Sequence, residues 1–150
     1  MDDTDNLGNK LHLADTAVRV FLRDTDPAAN LLLDDFEFTQ EELRLAHELI
    51  VDKWNETPPP VHQYTYDEFP FRYHLLLGMC SLLLGMAANR YRRNDLKYDI
   101  GGGAIQDQAK AQDYDRAADR LMAEFRAWMG QEKLRQNIDR GFGGDTGRYF

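Results

Sequence analysis

The order of apolar and polar positions along the chain reads almost entirely as helix. Over residues 13–24, "LADTAVRVFLRD", the apolar positions Leu13, Ala17, Val20 and Phe21 fall at spacings of 4, 3 and 1. That spacing puts them on one face and predicts a short amphipathic helix. Asp26-Pro27 breaks it, and "AANLLLDDFEF" continues as loop. The next helix is announced by Thr39 with Glu42 three positions later. This is a capping-box pattern, in which the threonine oxygen takes a first-turn N–H and the glutamate reaches back to the cap N–H. Leu43, Ala46, Leu49, Ile50 and Trp54 make its apolar stripe, and Pro58-Pro59-Pro60 ends it.

An aromatic-rich connector, "VHQYTYDEF", leads into "FPFRYHLLLGMCSLLLGMAANRYRRN". Pro70 suits a first helical turn. The apolar run Leu75–Ala88 has 14 residues, whereas a bilayer span needs about 20. Charges flank both ends, so the run reads as the central helix of a bundle, covered on every side. Gly78 and Gly85 are seven residues apart on one face. Each costs roughly 1 kcal/mol of helix propensity, which predicts close packing against a neighbour. Gly101-Gly102-Gly103 then forbids continuous helix. A long helix follows from about Asp107 to about Asn137, with a heptad-like seam of Ala111, Tyr114, Ala118, Leu121, Phe125 and Trp128. Gly130 weakens its last turns. Tyr64-Thr65-Tyr66 is too brief to build a sheet.

The predicted fold is therefore all-α: a small bundle of three to four helices with a long C-terminal helix, extended connectors and flexible termini. One domain covers residues 1–150, with a core over about 13–138, an N-terminal segment 1–10 and a C-terminal arm 139–150. A chain of 150 residues buries about two-thirds of its unfolded surface, enough for a core without disulfides or metal.

Charge narrows the classes of partner. The net charge is −8. Residues 1–38 hold nine acids against Lys10, Arg19 and Arg23, or −6. Such a chain is a poor general nucleic-acid binder and is repelled by anionic membranes. The start "MDDTDN" is acidic where a secretory signal is basic. Cys80 is the single cysteine, so no internal disulfide forms and a reducing compartment is expected.

The chain offers little chemistry. "HELIV" at His47 lacks the second histidine of a zinc helix, and His12, His62, His74 and Cys80 show no ligand spacing. Cys80 among Met79, Leu82 and Leu83 reads as an inert buried thiol. "GGGAIQD" lacks the Lys-Ser/Thr ending of a phosphate loop. Asp34-Asp35 and Glu37 read as a solvated acidic loop that favours the helix start after Thr39. No catalytic residue, metal or cofactor is expected. "RYRRNDLK" has two readings: cations placed favourably at a helix C-terminus, or a docking patch of Arg90, Arg92, Arg93 and Lys97 with Tyr91 and Tyr98. The partner of such a patch is an acidic surface or a passing nucleic-acid backbone.

Three stretches taken together, "DDFEFTQEELRLAHELIVDKWNETPPP", "YDEFPFRYHLLLGMCSLLLGMAANRYRRNDLKYDIGGG" and "DQAKAQDYDRAADRLMAEFRAWMGQEKLRQNI", are similar to virion proteins of tailed bacteriophages. The resemblance is to the small helical neck proteins, the head-to-tail adaptors or connectors, and covers about Leu31 to Phe142. It is one of style and segment order and includes no catalytic fingerprint. It implies a ring, commonly of twelve copies, beneath the portal protein. Such a ring extends the DNA channel without sequence-specific binding and presents a surface to the next neck or tail protein. It implies assembly in the host cytoplasm and residence in the virion, with no membrane and no enzyme activity. The tail "GFGGDTGRYF" is then a candidate arm, with Arg148, Tyr149 and Phe150 as its partner contacts beside the arginine knot. Burying each of its large side chains contributes roughly 1.5–3 kcal/mol before ordering costs. Two other readings stand beside it: a tail-completion or baseplate-hub protein, and a small helical regulator or enzyme using Arg90, Arg92, Arg93 and Lys97.

Overall fold

A computed structural model of the chain describes residues 15–29, 35–95 and 104–143. Four α-helices make up most of it. Helix α1 occupies 15–22, and a short 3-10 turn follows at Pro27–Ala29. Helix α2 is Gln40–Glu56, α3 is Arg72–Asp95 and α4 is Ala104–Gly143. No strand occurs among the described residues, and the all-α bundle with a long C-terminal helix is the observed architecture. Helix α3 is the central element and packs against both α2 and α4.

The reason lies in its side chains. Leu75, Leu77, Met79, Cys80, Leu83 and Ala87 are all buried. Partly buried Leu76, Leu82, Leu84 and Met86 pack around them. From α2 come Leu43, Ala46, Ile50, Val51 and Trp54, each fully covered. From α4 come Leu121, Phe125 and Met129. The predicted seam of α4 is the seam observed, with Ala111 and Ala118 buried and Tyr114 and Trp128 partly so. The helix runs past its expected end to Gly143. Gly130 is tolerated because it faces outward, where a methyl group would meet nothing within 4 Å among the described residues. Residues 139–143 are therefore helical, and 144–150 lie outside the described residues, as do 1–14 and the Gly101–Gly103 triplet.

The two glycines of α3 differ. A Cβ at Gly78 would lie 2.8–3.0 Å from three side-chain carbons of Ile50, so α2 and α3 touch there. A Cβ at Gly85 would meet nothing within 4 Å among the described residues. Close packing therefore accounts for Gly78 alone.

Helix α1 presents a different edge from the expected one. Val18 is buried and Leu22 packs on the core, while Val20 and Phe21 are exposed. The polar residues beside Val18 and Leu22 fix this orientation. Arg19 donates to Asp24 at 2.8 Å, and its guanidinium lies 4.5 Å from the Phe36 ring centre. Arg23, at φ 57°, takes the left-handed conformation that ends the helix. Asp24 then accepts from the Glu37 and Phe38 backbone N–H groups at 2.7 and 3.1 Å. Its one carboxylate thus closes the base of the segment 25–36.

The capping box of α2 is formed as expected. Thr39 Oγ1 accepts from Glu42 N at 3.1 Å, and Glu42 Oε2 accepts from Thr39 N at 2.8 Å. At the other end the Thr57 N–H and hydroxyl both donate to the Lys53 carbonyl. The Pro58–Pro59 peptide bond is cis. The connector is then pinned to α2: Trp54 Nε1 donates to His62 O at 2.9 Å, and the Asn55 amide pairs with both backbone groups of Tyr64. Trp54, Tyr64, Phe69, Phe71 and Trp128 pack in one aromatic cluster of tilted and edge-on rings, neighbouring centres being 4.9–5.9 Å apart. Lys133 of α4 is buried beside it. Its ammonium donates to the Thr57 and Pro59 carbonyls and lies 5.1 Å from the Trp54 ring centre.

Candidate interaction surfaces

The arginine end of α3 is the first candidate, and much of it is turned inward. Arg90 donates to the Glu37 carbonyl at 2.8 Å and to Glu42 Oε1 at 2.7 Å. Glu42 thus uses one oxygen for the α2 cap and the other for Arg90. Tyr91 donates to Glu37 Oε1 at 3.2 Å, and Tyr114 of α4 donates to the same carboxylate at 3.3 Å. Lys110 donates to the Tyr91 hydroxyl at 2.7 Å. Burial, and then the Glu37 carboxylate, push both phenols up to about 12, so they remain neutral donors at pH 7. Arg92 pairs with Asp115 of α4 and donates to Asn89 at 3.0 Å.

Of the predicted interface residues, then, Arg90 and Arg92 tie α3 to α2, α4 and the 37–42 segment. Arg93 is exposed and forms no ion pair among the described residues. Lys97, Arg148, Tyr149 and Phe150 lie outside the described residues. Sequence reading missed Glu37, Lys110 and Tyr114 as partners. Glu37 carried no signal beyond its place in the acidic run, because its contacts lie up to 77 positions away.

No group of three or more His, Cys, Asp or Glu side chains with metal-binding geometry occurs among the described residues. Cys80 is fully buried, and desolvation pushes its thiol to about 12, far from a reactive thiolate. His47 is buried and neither ring nitrogen has a hydrogen-bond partner among the described residues. Burial holds its pKa below the usual histidine value, with partial offset from Asp15, the Tyr66 backbone, Asp67 and Glu48. No described helix is long and apolar enough to cross a membrane.

Exposed apolar residues lie in the connectors, as Phe36 and Tyr66 do, and on outward helix faces, including Val20 and Phe21 of α1. On α2, Leu45 and Leu49 are 44% and 42% exposed, although Leu49 was expected in the core stripe. Around them on the same outward face stand Glu41, Glu48, Asp52 and Glu56. On α4, Leu134 and Ile138 are 57% and 48% exposed. They continue a line of exposed small residues, Ala123, Ala127 and Gly130. Between α1 and the start of α3 lies an apolar groove of about 330 Å³, bordered by Ala17, Val18, Tyr73, Leu76 and Met79 with Arg72 among its lining residues.

The class these features define is an all-α bundle with an apolar core, half-buried polar ties between its helices and exposed apolar residues on outward faces. Compared with protein-family models, curated proteins and solved structures, the chain gives no match.

Proposed function

We propose that this chain is a structural subunit of a tailed-phage neck, a head-to-tail adaptor that assembles as a ring on the portal protein and continues the DNA channel. The observation that carries the reading is that different helices bear exposed apolar side chains on their outward faces, Leu45 and Leu49 on α2 and Leu134 and Ile138 on α4, beside Val20 and Phe21 on α1. A ring built from one subunit needs two unlike faces, one to give and one to receive. The polar groups support it by their use: Glu37, Glu42, Arg90, Tyr91, Lys110 and Tyr114 are bonded to one another across the bundle. A net charge of −8 also suits a channel wall past which DNA slides. Arg93, and Lys97, Arg148, Tyr149 and Phe150 outside the described residues, remain the proposed contacts to portal or downstream neck proteins.

Light scattering tests the reading. The purified protein is weighed alone and then with cognate portal rings. Addition to the ring in near-matching copy number supports the adaptor role. Assembly with tail components and indifference to the portal would move the chain to a tail-completion or hub station. Salt-sensitive DNA affinity in a monomer that joins neither would favour a regulator instead.

A further inference from the structure

The two outward faces fit one another in chemistry and in spacing. Along the centre line of α2, pointing away from its core residues, stand Leu45, Leu49 and Glu56, all exposed, and Asp52, half-buried and accepting from the Tyr66 hydroxyl at 3.1 Å. The corresponding line of α4 holds Arg116, Arg120, Ala123 and Ala127, all exposed. The only charges on the centre of the α2 line are acidic, and those on the α4 line are basic. Arg120 makes no ion pair among the described residues, and Arg116 makes only a loose one, 3.7 Å to Asp113.

We infer that the ring contact is made by α2 of one copy lying antiparallel along the outward face of α4 of the next. In two antiparallel helices, residues that face each other have position numbers with a constant sum. The pairs Leu45 with Ala127, Leu49 with Ala123, Asp52 with Arg120 and Glu56 with Arg116 all sum to 172. One register therefore seats both leucines on alanines and both acids on arginines. Large side chains against small ones let the helices approach closely. In the same register, Leu134 and Ile138 lie beyond the start of α2. The contact is heterologous, as a ring requires, and the inference rests on the ring reading above.

Single-cysteine variants test it. Leu45→Cys and Ala127→Cys proteins are mixed, with and without portal rings, and oxidised with copper phenanthroline. Cys80 is buried and does not compete. The expected result is a cross-linked pair from the mixture and none from either variant alone. Leu45→Cys mixed with Ala109→Cys, out of register, should give none. Adding Arg120→Glu to the Ala127→Cys chain should lower the yield about tenfold. Asp52→Arg in the Leu45→Cys chain should restore it. Circular dichroism of each variant checks that the helices are kept. Cross-linking of Ala127→Cys to itself would overturn the inference in favour of an α4–α4 contact. Copies that add to the portal without cross-linking at these positions would overturn the contact and leave the ring reading standing. Register-specific cross-links in a protein that ignores the portal would support the contact and refute the neck assignment.

Discussion

Gly78 and Gly85 invite the same substitution with opposite results. Replacing a helical glycine by alanine gains about 1 kcal/mol of backbone propensity at either site. At Gly85 the new methyl group meets nothing within 4 Å among the described residues, so Gly85→Ala should stabilise by about 0.5–1 kcal/mol. At Gly78 the methyl would lie 2.8, 2.9 and 3.0 Å from Ile50 Cδ1, Cγ1 and Cγ2. The δ-methyl can swing away. The two γ-carbons cannot, because a β-branched side chain in a helix has one strongly preferred rotamer. The helices must part, at an overpacking cost of about 2–3 kcal/mol. The net for Gly78→Ala is then a loss of about 1–2 kcal/mol, which separates the two variants by about 2–3 kcal/mol. For a chain of this size that is a Tm difference of about 5–10 °C, read by thermal and urea unfolding under circular dichroism. A third protein isolates the cause. In an Ile50→Ala background the clashing carbons are gone, and Gly78→Ala should become stabilising, a coupling of about 2 kcal/mol in the double-mutant cycle. Equal stabilisation by both single alanines would refute the close approach of α2 and α3.

Other consequences can be read with similar assays. His47 is kept neutral by burial, so its folded pKa lies below the unfolded value of about 6.5. The unfolded chain then binds more protons below pH 6.5, and stability should fall toward acid by at most about 1.4 kcal/mol per pH unit until the folded pKa is passed; His47→Leu should flatten that slope in urea titrations between pH 7 and 5. Lys133→Ala removes the donor shared by the Thr57 and Pro59 carbonyls and should cost about 2–3 kcal/mol, with altered tryptophan fluorescence from Trp54. Asp24→Ala orphans the Glu37 and Phe38 N–H groups and Arg19 together. It should cost about 2–4 kcal/mol, and hydrogen exchange at those two amides should accelerate well beyond that of α3; unchanged protection would refute the clasp.

What the sequence made legible was local or periodic. Thr39 and Glu42 lie within one turn, so their cap could be read directly. The α4 seam repeats often enough that its face is unambiguous. Eight residues of α1 offer no such repetition, and the stripe of Ala17, Val20 and Phe21 lost to Val18 and Leu22 once Arg19 found Asp24. Gly78 and Gly85 look alike in sequence because the difference between them is Ile50, on another helix. Nothing in the sequence marks Lys133, which is buried because the carbonyls it serves belong to a proline connector 74 or more positions away. The arginine knot suffered the same blindness: it was visible as charge, while its ties to Glu37 and Glu42 across 48 to 53 positions were not. The outward line of α4 follows from its seam, whereas on α2 the sequence stripe took in Leu49, which the folded bundle turns outward.

The Asp24 clasp has a consequence for how this chain can vary. Because residue 24 holds residues 37 and 38 directly, the bundle on either side is joined by a side chain as well as by the intervening backbone. The twelve positions 25–36 are then a cassette whose length is nearly free. Doubling it adds only about 0.6 kcal/mol of closure entropy, less than the hydrogen bonds at its base supply. Insertions there should be far cheaper than at the 57–71 connector, which is stitched to Trp54, Asn55 and Lys133 along its course. A chain of this design can lengthen or exchange that cassette while α2, α3 and α4 stay as they are.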